Sequence, residues 1–162
     1  MTNPEQCCPV FDPSPFDDKV LEWKDKLFVK DSMRTLMHIP LFDAFGKTVV
    51  RLMKRVDNAG AKTDDKDLLM LSYDPGPWKS ELFINVTKEI PGAENIKISG
   101  TFLTKVYDAP FKEIRNCVKD FKAHVKEKGR TMSQMYFYYT TCPECARKYG
   151  HNYMVAFAKI DN

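Results

Sequence analysis

The sequence predicts an α+β fold: two pseudo-symmetric βαββ units with antiparallel sheets, helices on the outside and a shared central cleft. Three observations lead there. The order strand, helix, strand, strand occurs twice. A shift of 69 residues brings the two copies into step, placing Gly60 on Gly129, Val49 on Val118, Leu52 on Phe121, Phe45 on Ile114 and Val86 on Val155. Matching helix stops and apolar positions at one offset are the mark of an internal repeat. Third, the strands are apolar in both alternating sets, as in "LLMLSY" and "YMVAFA", so both faces of the sheet need cover.

The elements follow in order. Residues 1–30 read as an N-terminal arm, with Trp23 packing it against a domain of residues 31–162 whose repeat units span about 31–91 and 98–160. In the first unit "MRTLMHI" is β-leaning, and "FDAFGKTVVRLMKRVDNAG" carries Phe45, Val49, Leu52, Met53 and Val56 at helical spacing before Gly60 stops it. "DLLMLSYD" and "ELFINVTKEI" form a strand pair across "PGPW". In the second unit "KISGTFLTKVYD" is a strand, and Pro110 opens a helix with Ile114, Val118, Phe121 and Val125 on its apolar face and Gly129 at its end. "MYFYYT" and "YMVAFAKI" close that unit as a hairpin. One helix covers one sheet face, so the other face meets the partner unit or lines a cleft, the kind of place where ligands bind.

Composition narrows the function classes. At 162 residues and 43% hydrophobic the chain can bury one substantial core. No apolar run approaches the ~20 residues of a membrane-spanning helix. The proline-rich, acidic start lacks the features of a secretory signal, so a cytoplasmic location is expected. A net charge of +3, dispersed along the chain, argues against nucleic acid as a partner. The expected partner is a small molecule, with no membrane, and the chain is expected as a monomer or weak homodimer.

Five cysteines in a reduced compartment point to metal ligation or simple burial. "CPECARKYG" has the form of a zinc knuckle, in which Cys142 and Cys145 present two sulfurs to one ion. Cys7 and Cys8 would complete a structural zinc site that clips the arm to the second unit, with His151 as a spare ligand. The rival is a thiol redox pair, with a short helix after "CPEC" lowering a thiol pKa; a pair of plain reduced thiols is the third reading. Cys117 reads as a small packing residue in the second helix, and His38 and His124 as structural histidines. No GxSxG, HExxH or Gly-rich phosphate loop is present.

The run "ELFINVTKEIPGAENIKISGTFLTKVYDAPFKEIRNCVKDFKAHVKEKGR" resembles the GyrI-like small-molecule-binding family, which includes effector-binding domains of AraC- and MerR-type regulators. With Cys-Cys-Pro at the N-terminus and a CPxCAxxYG loop, the chain is also similar to a group of small bacterial proteins of this fold labelled "hydrolase". The resemblance implies an aromatic cleft for flat, apolar or cationic molecules, with a carboxylate near its floor. It places Phe137 about where that family carries its glutamate, and Glu81 is the candidate substitute. Trp78, Phe102, Tyr107, Phe111, Tyr136 and Tyr138 are the candidate ligand-binding residues. The function expected is a standalone binding protein for an aromatic or apolar ligand, cationic ones included. The alternative is a hydrolase acting on a reactive small molecule, with Glu81 or a tyrosine as acid/base.

Overall fold

A computed structural model describes residues 10–37, 39–40, 44–141 and 143–160. It shows a mixed α/β chain with antiparallel sheet and few helices: β1 (Lys19–Leu36), β2 (Ile39–Pro40), α1 (Ala44–Asn58), β3 (Met70–Gly76), β4 (Lys79–Asn85), β5 (Glu94–Asp108), α2 (Ile114–Glu127), β6 (Met132–Tyr139), α3 (Pro143–Tyr149) and β7 (Tyr153–Ile160). No helix among the described residues is long and apolar enough to cross a membrane. The chain divides into two compact units, one of Trp23–Ser99 and the other made of the residues up to Glu22 with those from Gly100 onward.

In the Trp23–Ser99 unit, β1 pairs antiparallel with β2 and with β4, and β4 pairs antiparallel with β3. Val29 lies opposite Ile84, and Leu71 opposite Phe83. Strand side chains alternate between faces, and Val29, Met33, Leu82 and Ile84 form the set that meets Leu52 and Val56 of α1. β1 starts at Lys19, so residues 19–30, expected as part of an arm, are strand.

In the other unit β7 lies between β6 and β5, antiparallel to both. Leu103, Phe137, Met154, Ala156 and Ala158 pack with Cys117, Phe121 and Val125 of α2. The opposite face is closed in part by the segment before β1. Phe11 packs against Tyr138 and Tyr153, Phe16 against Phe157, and the Thr104 hydroxyl donates to the Phe16 carbonyl at 2.6 Å.

The two helices bury equivalent residues. α1 buries Thr48, Leu52 and Val56, and α2 buries Cys117, Phe121 and Val125, each pair 69 positions apart. The helix stops match as well. Gly60 and Gly129 have φ of 62° and 70°. Gly60 N–H bonds the Asp57 carbonyl and Ala61 N–H the Val56 carbonyl, just as Gly129 bonds Lys126 and Arg130 bonds Val125. Both are Schellman endings, in which a left-handed residue lets two otherwise orphaned carbonyls find donors.

The offset fails in the strands. Val86 lies one residue beyond β4, whereas Val155 is inside β7. The first unit spends residues 59–69 between α1 and β3, including a 3₁₀ turn at Asp65–Asp67, and turns tightly from β3 to β4. The second goes from α2 to β6 in a few residues and inserts α3 between β6 and β7. Loop length is thermodynamically cheap to vary, while each helix face is held by its own core, so the correspondence is confined to the helices and their ends.

No neighbouring atom lies within 4 Å of where a Cβ would stand on Gly60 or Gly129. Gly60→Ala and Gly129→Ala should therefore each cost about 1 kcal/mol through backbone conformation alone, and Asn at either position less. Urea denaturation checks this; an unchanged midpoint for the alanine variants would mean the left-handed endings are not held.

Candidate functional site

Glu81 sits near the start of β4, next to the exposed Trp78, a place where a carboxylate is ordinarily solvated. The strand register puts it inside instead, with the residue only 7% exposed. It lies on the sheet face away from α1, opposite Ser32 of β1 on one side and Tyr73 of β3 on the other. Two residue pairs along the ladder, Lys30 faces Phe83 on the same side. The lysine stem reaches diagonally along this surface and its ammonium contacts Glu81 Oε2, with Glu94 Oε1 at 3.4 Å.

A buried charge needs a partner, because leaving it alone costs several kcal/mol. Here the partner is the Lys30 ammonium. The Glu81 carboxylate raises the Lys30 pKa above the ordinary lysine value, against burial and with help from Glu94. Aromatic rings continue the face: Phe28 meets Phe83 edge-on at 6.5 Å between centroids, and Trp23 stands 5.8 Å from Phe28.

The six expected ligand-binding aromatics do not form one group. Phe102, Tyr136 and Tyr138 share the face of their sheet away from α2; the rings of Phe102 and Tyr136 are 6.3 Å apart, and Tyr138 meets Phe11 edge-on. All three are buried. Tyr107 and Phe111 lie on the α2 side. Tyr107 donates a 2.6 Å hydrogen bond to Asp120 of α2, whose same oxygen accepts from Lys105 at 2.9 Å. Burial first, and then the Asp120 carboxylate, push the phenol pKa far up, so Tyr107 is a donor and not a base. Phe111 packs on Tyr139 at 5.8 Å. Trp78 belongs to the Trp23–Ser99 unit, at the β3–β4 turn, and is 59% exposed. Phe137 faces α2 in the core, so the position to which the resemblance leads for a glutamate is a packing position.

Of the four expected zinc ligands, Cys7, Cys8 and Cys142 lie outside the described residues, as does His38; Cys145 is 1% exposed in α3. Among the described residues no three His, Cys, Asp or Glu side chains gather in a way that could hold a metal ion. Cys117 is buried against the sheet, and burial raises its thiol pKa. His124 stacks on Phe121, with its Nε2 3.2 Å from Asp18.

The loop that carries the CxxC is anchored by residues that spacing alone did not single out. Asp108 at the end of β5 accepts from Asn152 N–H at 2.9 Å and meets His151 Nδ1 at 2.6 Å. Burial works to raise the Asp108 pKa, but these two contacts outweigh it and hold the carboxyl below the ordinary range. Asn152 also donates to the Ala109 carbonyl at 2.7 Å and accepts from the Thr141 hydroxyl at 3.1 Å. The His151 ring stacks on Tyr153 at 5.1 Å. Lys30, Asp108 and Asn152 were not legible as functional or anchoring residues, since each acts through a partner more than 40 positions away.

The chain belongs to the bacterial hydrolase family, whose model matches residues 1–160. No curated protein matches the sequence. Among solved structures it is similar to the EcmrR C-terminal domain, at 12% identity and a TM-score of 0.71, covering 91% of this chain and 98% of that one. It is similar to a hydrolase from Listeria innocua at 9% identity and TM-score 0.63, with 90% and 92% covered. A third, SAV2435 bound to tetraphenylphosphonium, has 10% identity and TM-score 0.50, with 89% and 93% covered. The fold is shared with the EcmrR C-terminal domain.

Asn152→Ala should lower stability by about 1–3 kcal/mol, because it leaves buried polar groups of the loop without partners. Thermal and chemical denaturation measure it; a neutral result would show that the loop anchors are redundant.

Proposed function

We propose that this protein binds a flat aromatic or apolar small molecule, organic cations included. The observation that carries the reading is the Lys30–Glu81 pair, a buried carboxylate on a sheet face lined by Phe28, Tyr73 and Phe83. A carboxylate offers a cation its counter-charge, and aromatic faces add roughly 0.5 to 2 kcal/mol of cation attraction. The bound molecule in the SAV2435 structure, a phosphonium with four phenyl rings, has the chemistry such a surface accepts.

Titration with tetraphenylphosphonium, followed by calorimetry, should show saturable binding at one site per chain. Glu81→Gln should weaken it at least tenfold, about 1.4 kcal/mol. Absence of saturation with this cation and with a neutral triphenyl compound would sink the reading.

The family description favours a second reading, hydrolysis of a reactive small molecule with Glu81 or a tyrosine as acid/base. Turnover that vanishes in Glu81→Gln, with binding of product retained, is what that reading expects.

We further propose that zinc held by Cys142, Cys145 and the Cys7–Cys8 pair clips the N-terminal segment to the loop after β6. Support comes from Phe11, three residues beyond Cys8, which packs on Tyr138 and Tyr153, the strand residues flanking that loop. Cys145 is buried, as a structural ligand should be. Where His151 is the spare ligand, its Nδ1 contact with Asp108 orients the ring and leaves Nε2 for the metal. Elemental analysis of protein purified without added metal should find one zinc per chain, with thiols becoming titratable after chelation. Metal-free protein with the same thiols already reactive would remove the clip.

A further inference from the structure

Two hairpin turns meet at one end of the sheet in the Trp23–Ser99 unit. Leu36 and Met37 lie where β1 reverses into β2, and Pro77 and Trp78 form the turn between the paired residues Gly76 of β3 and Lys79 of β4. Thr35 fastens the turns side by side, its N–H donating to the Trp78 carbonyl at 3.0 Å and its hydroxyl to the Pro77 carbonyl at 2.9 Å. Turns are ordinarily rich in Gly, Asn, Asp and Ser. These carry Leu36, Met37 and Trp78, which are 53%, 59% and 59% exposed. Met37 also holds a left-handed φ of 51°, a conformation that elsewhere among the described non-glycine residues falls to Asp18 and Asp25. Just inward of Thr35, Arg34 stands directly opposite Lys79, and both are exposed. Like charges paired in this way are destabilising. The carboxylates next along the ladder are already taken, Asp31 by Arg51 and Glu81 by Lys30. Folding asks for neither the apolar turns nor the opposed cations.

We propose that this end of the sheet docks on an anionic lipid bilayer, with Trp78, Leu36 and Met37 entering the interface and Arg34 and Lys79 holding lipid phosphate. A strand advances about 3.4 Å per residue, so the two cations stand a step or two behind the apolar tip. That is head-group depth for a tip that reaches the acyl boundary, and a long cationic stem keeps its charge there while its methylenes follow the apolar residues. Indole favours the same boundary, because it joins a large apolar body to one N–H donor. A second copy of the chain fits less well: three half-exposed side chains fall far short of the roughly 800 Å² per partner that a stable dimer buries, and the cations would face each other across it. A free phosphate would use the cations and leave the apolar turns without a role. Contact of this peripheral kind needs no membrane-spanning helix. It revises the expectation, drawn from composition, that no membrane is a partner, and it does not rest on the ligand-binding reading above.

Co-sedimentation of the full chain with vesicles tests it, comparing phosphatidylcholine alone with a three-to-one mixture of phosphatidylcholine and phosphatidylserine. The chain should partition onto the mixed vesicles and at least tenfold less onto the neutral ones. Arg34→Ser and Lys79→Ser should each lower partitioning onto the mixed vesicles about fivefold. Trp78→Ser and Leu36→Ser should each lower it at least as much. Two controls should change it less than twofold: Val50→Ser, which removes an exposed apolar side chain from α1, and Lys119→Ser with Lys122→Ser, which removes two exposed charges from α2. No partitioning of the wild type onto the mixed vesicles overturns the proposal. So does an equal loss from the α2 pair, which would mean general charge attraction, or from Val50→Ser, which would place the contact on α1. Full competition by inorganic phosphate at constant ionic strength overturns it in favour of a plain anion site. A lipid-free dimer that Trp78→Ser abolishes, seen by analytical ultracentrifugation, overturns it in favour of a second copy. If Trp78→Ser does not fold, Leu36→Ser and Met37→Ser decide the matter: no loss in either overturns it.

Discussion

Two-sided burial of the sheets is the constraint on which the rest of this molecule depends. In β4 every residue from Ser80 to Asn85 is buried, and in β7 the same holds from Met154 to Ala158. A strand with one wet face can carry polar residues there without consequence. Here each polar or charged side chain must bring its own partner. Thr104 donates to the Phe16 carbonyl, and Asn85 accepts from Leu69 N–H and donates to the Asp67 carbonyl. Glu81 is the exception in kind. Its partner is a charged group, the Lys30 ammonium, rather than a neutral one.

Much of the architecture was legible because helices and hairpins declare themselves locally. The spacing of Leu52 and Val56, and of Phe121 and Val125, marks the buried face of each helix, and Gly60 and Gly129 mark ends that need a left-handed residue. The final strand is found within its expected bounds for the same reason: "YMVAFAKI" is an apolar run between a Gly-containing loop and the terminus. The first strand was less legible. Residues 19–30 alternate charge with bulk, the pattern of an exposed segment, and only pairing with β4 shows that Phe28 and Val29 are fully buried.

The candidate site was legible in its residue types and not in their grouping. Strand parity was available for some of it: Phe102 and Tyr107 are five positions apart in one strand and so must face opposite ways, as the structure finds. Tyr136 and Tyr138, two apart, do share a face. What parity cannot supply is register between strands. Lys30 meets Glu81 because Ser32 stands opposite Glu81 and Lys30 opposite Phe83, a fact about pairing across about 50 residues of chain. The same holds for Asp108 and Asn152, which meet only because β5 and β7 lie side by side.

The two units answer the same packing problem with different chemistry. Beside Phe157, the sheet face away from α2 is covered with aromatic rings, Phe11 and Phe16 being laid onto it by the segment that precedes β1. The corresponding face beside Phe83 holds an ion pair instead. A buried ion pair is often no more stabilising than a well-packed apolar pair of the same volume, so stability alone gives no reason for the difference. Phe102, Tyr136 and Phe157 show that this fold can close such a face with rings. Buried on its own sheet face, the Glu81 carboxylate depends on the Lys30 ammonium for its counter-charge, whereas the other face needs only complementary ring packing.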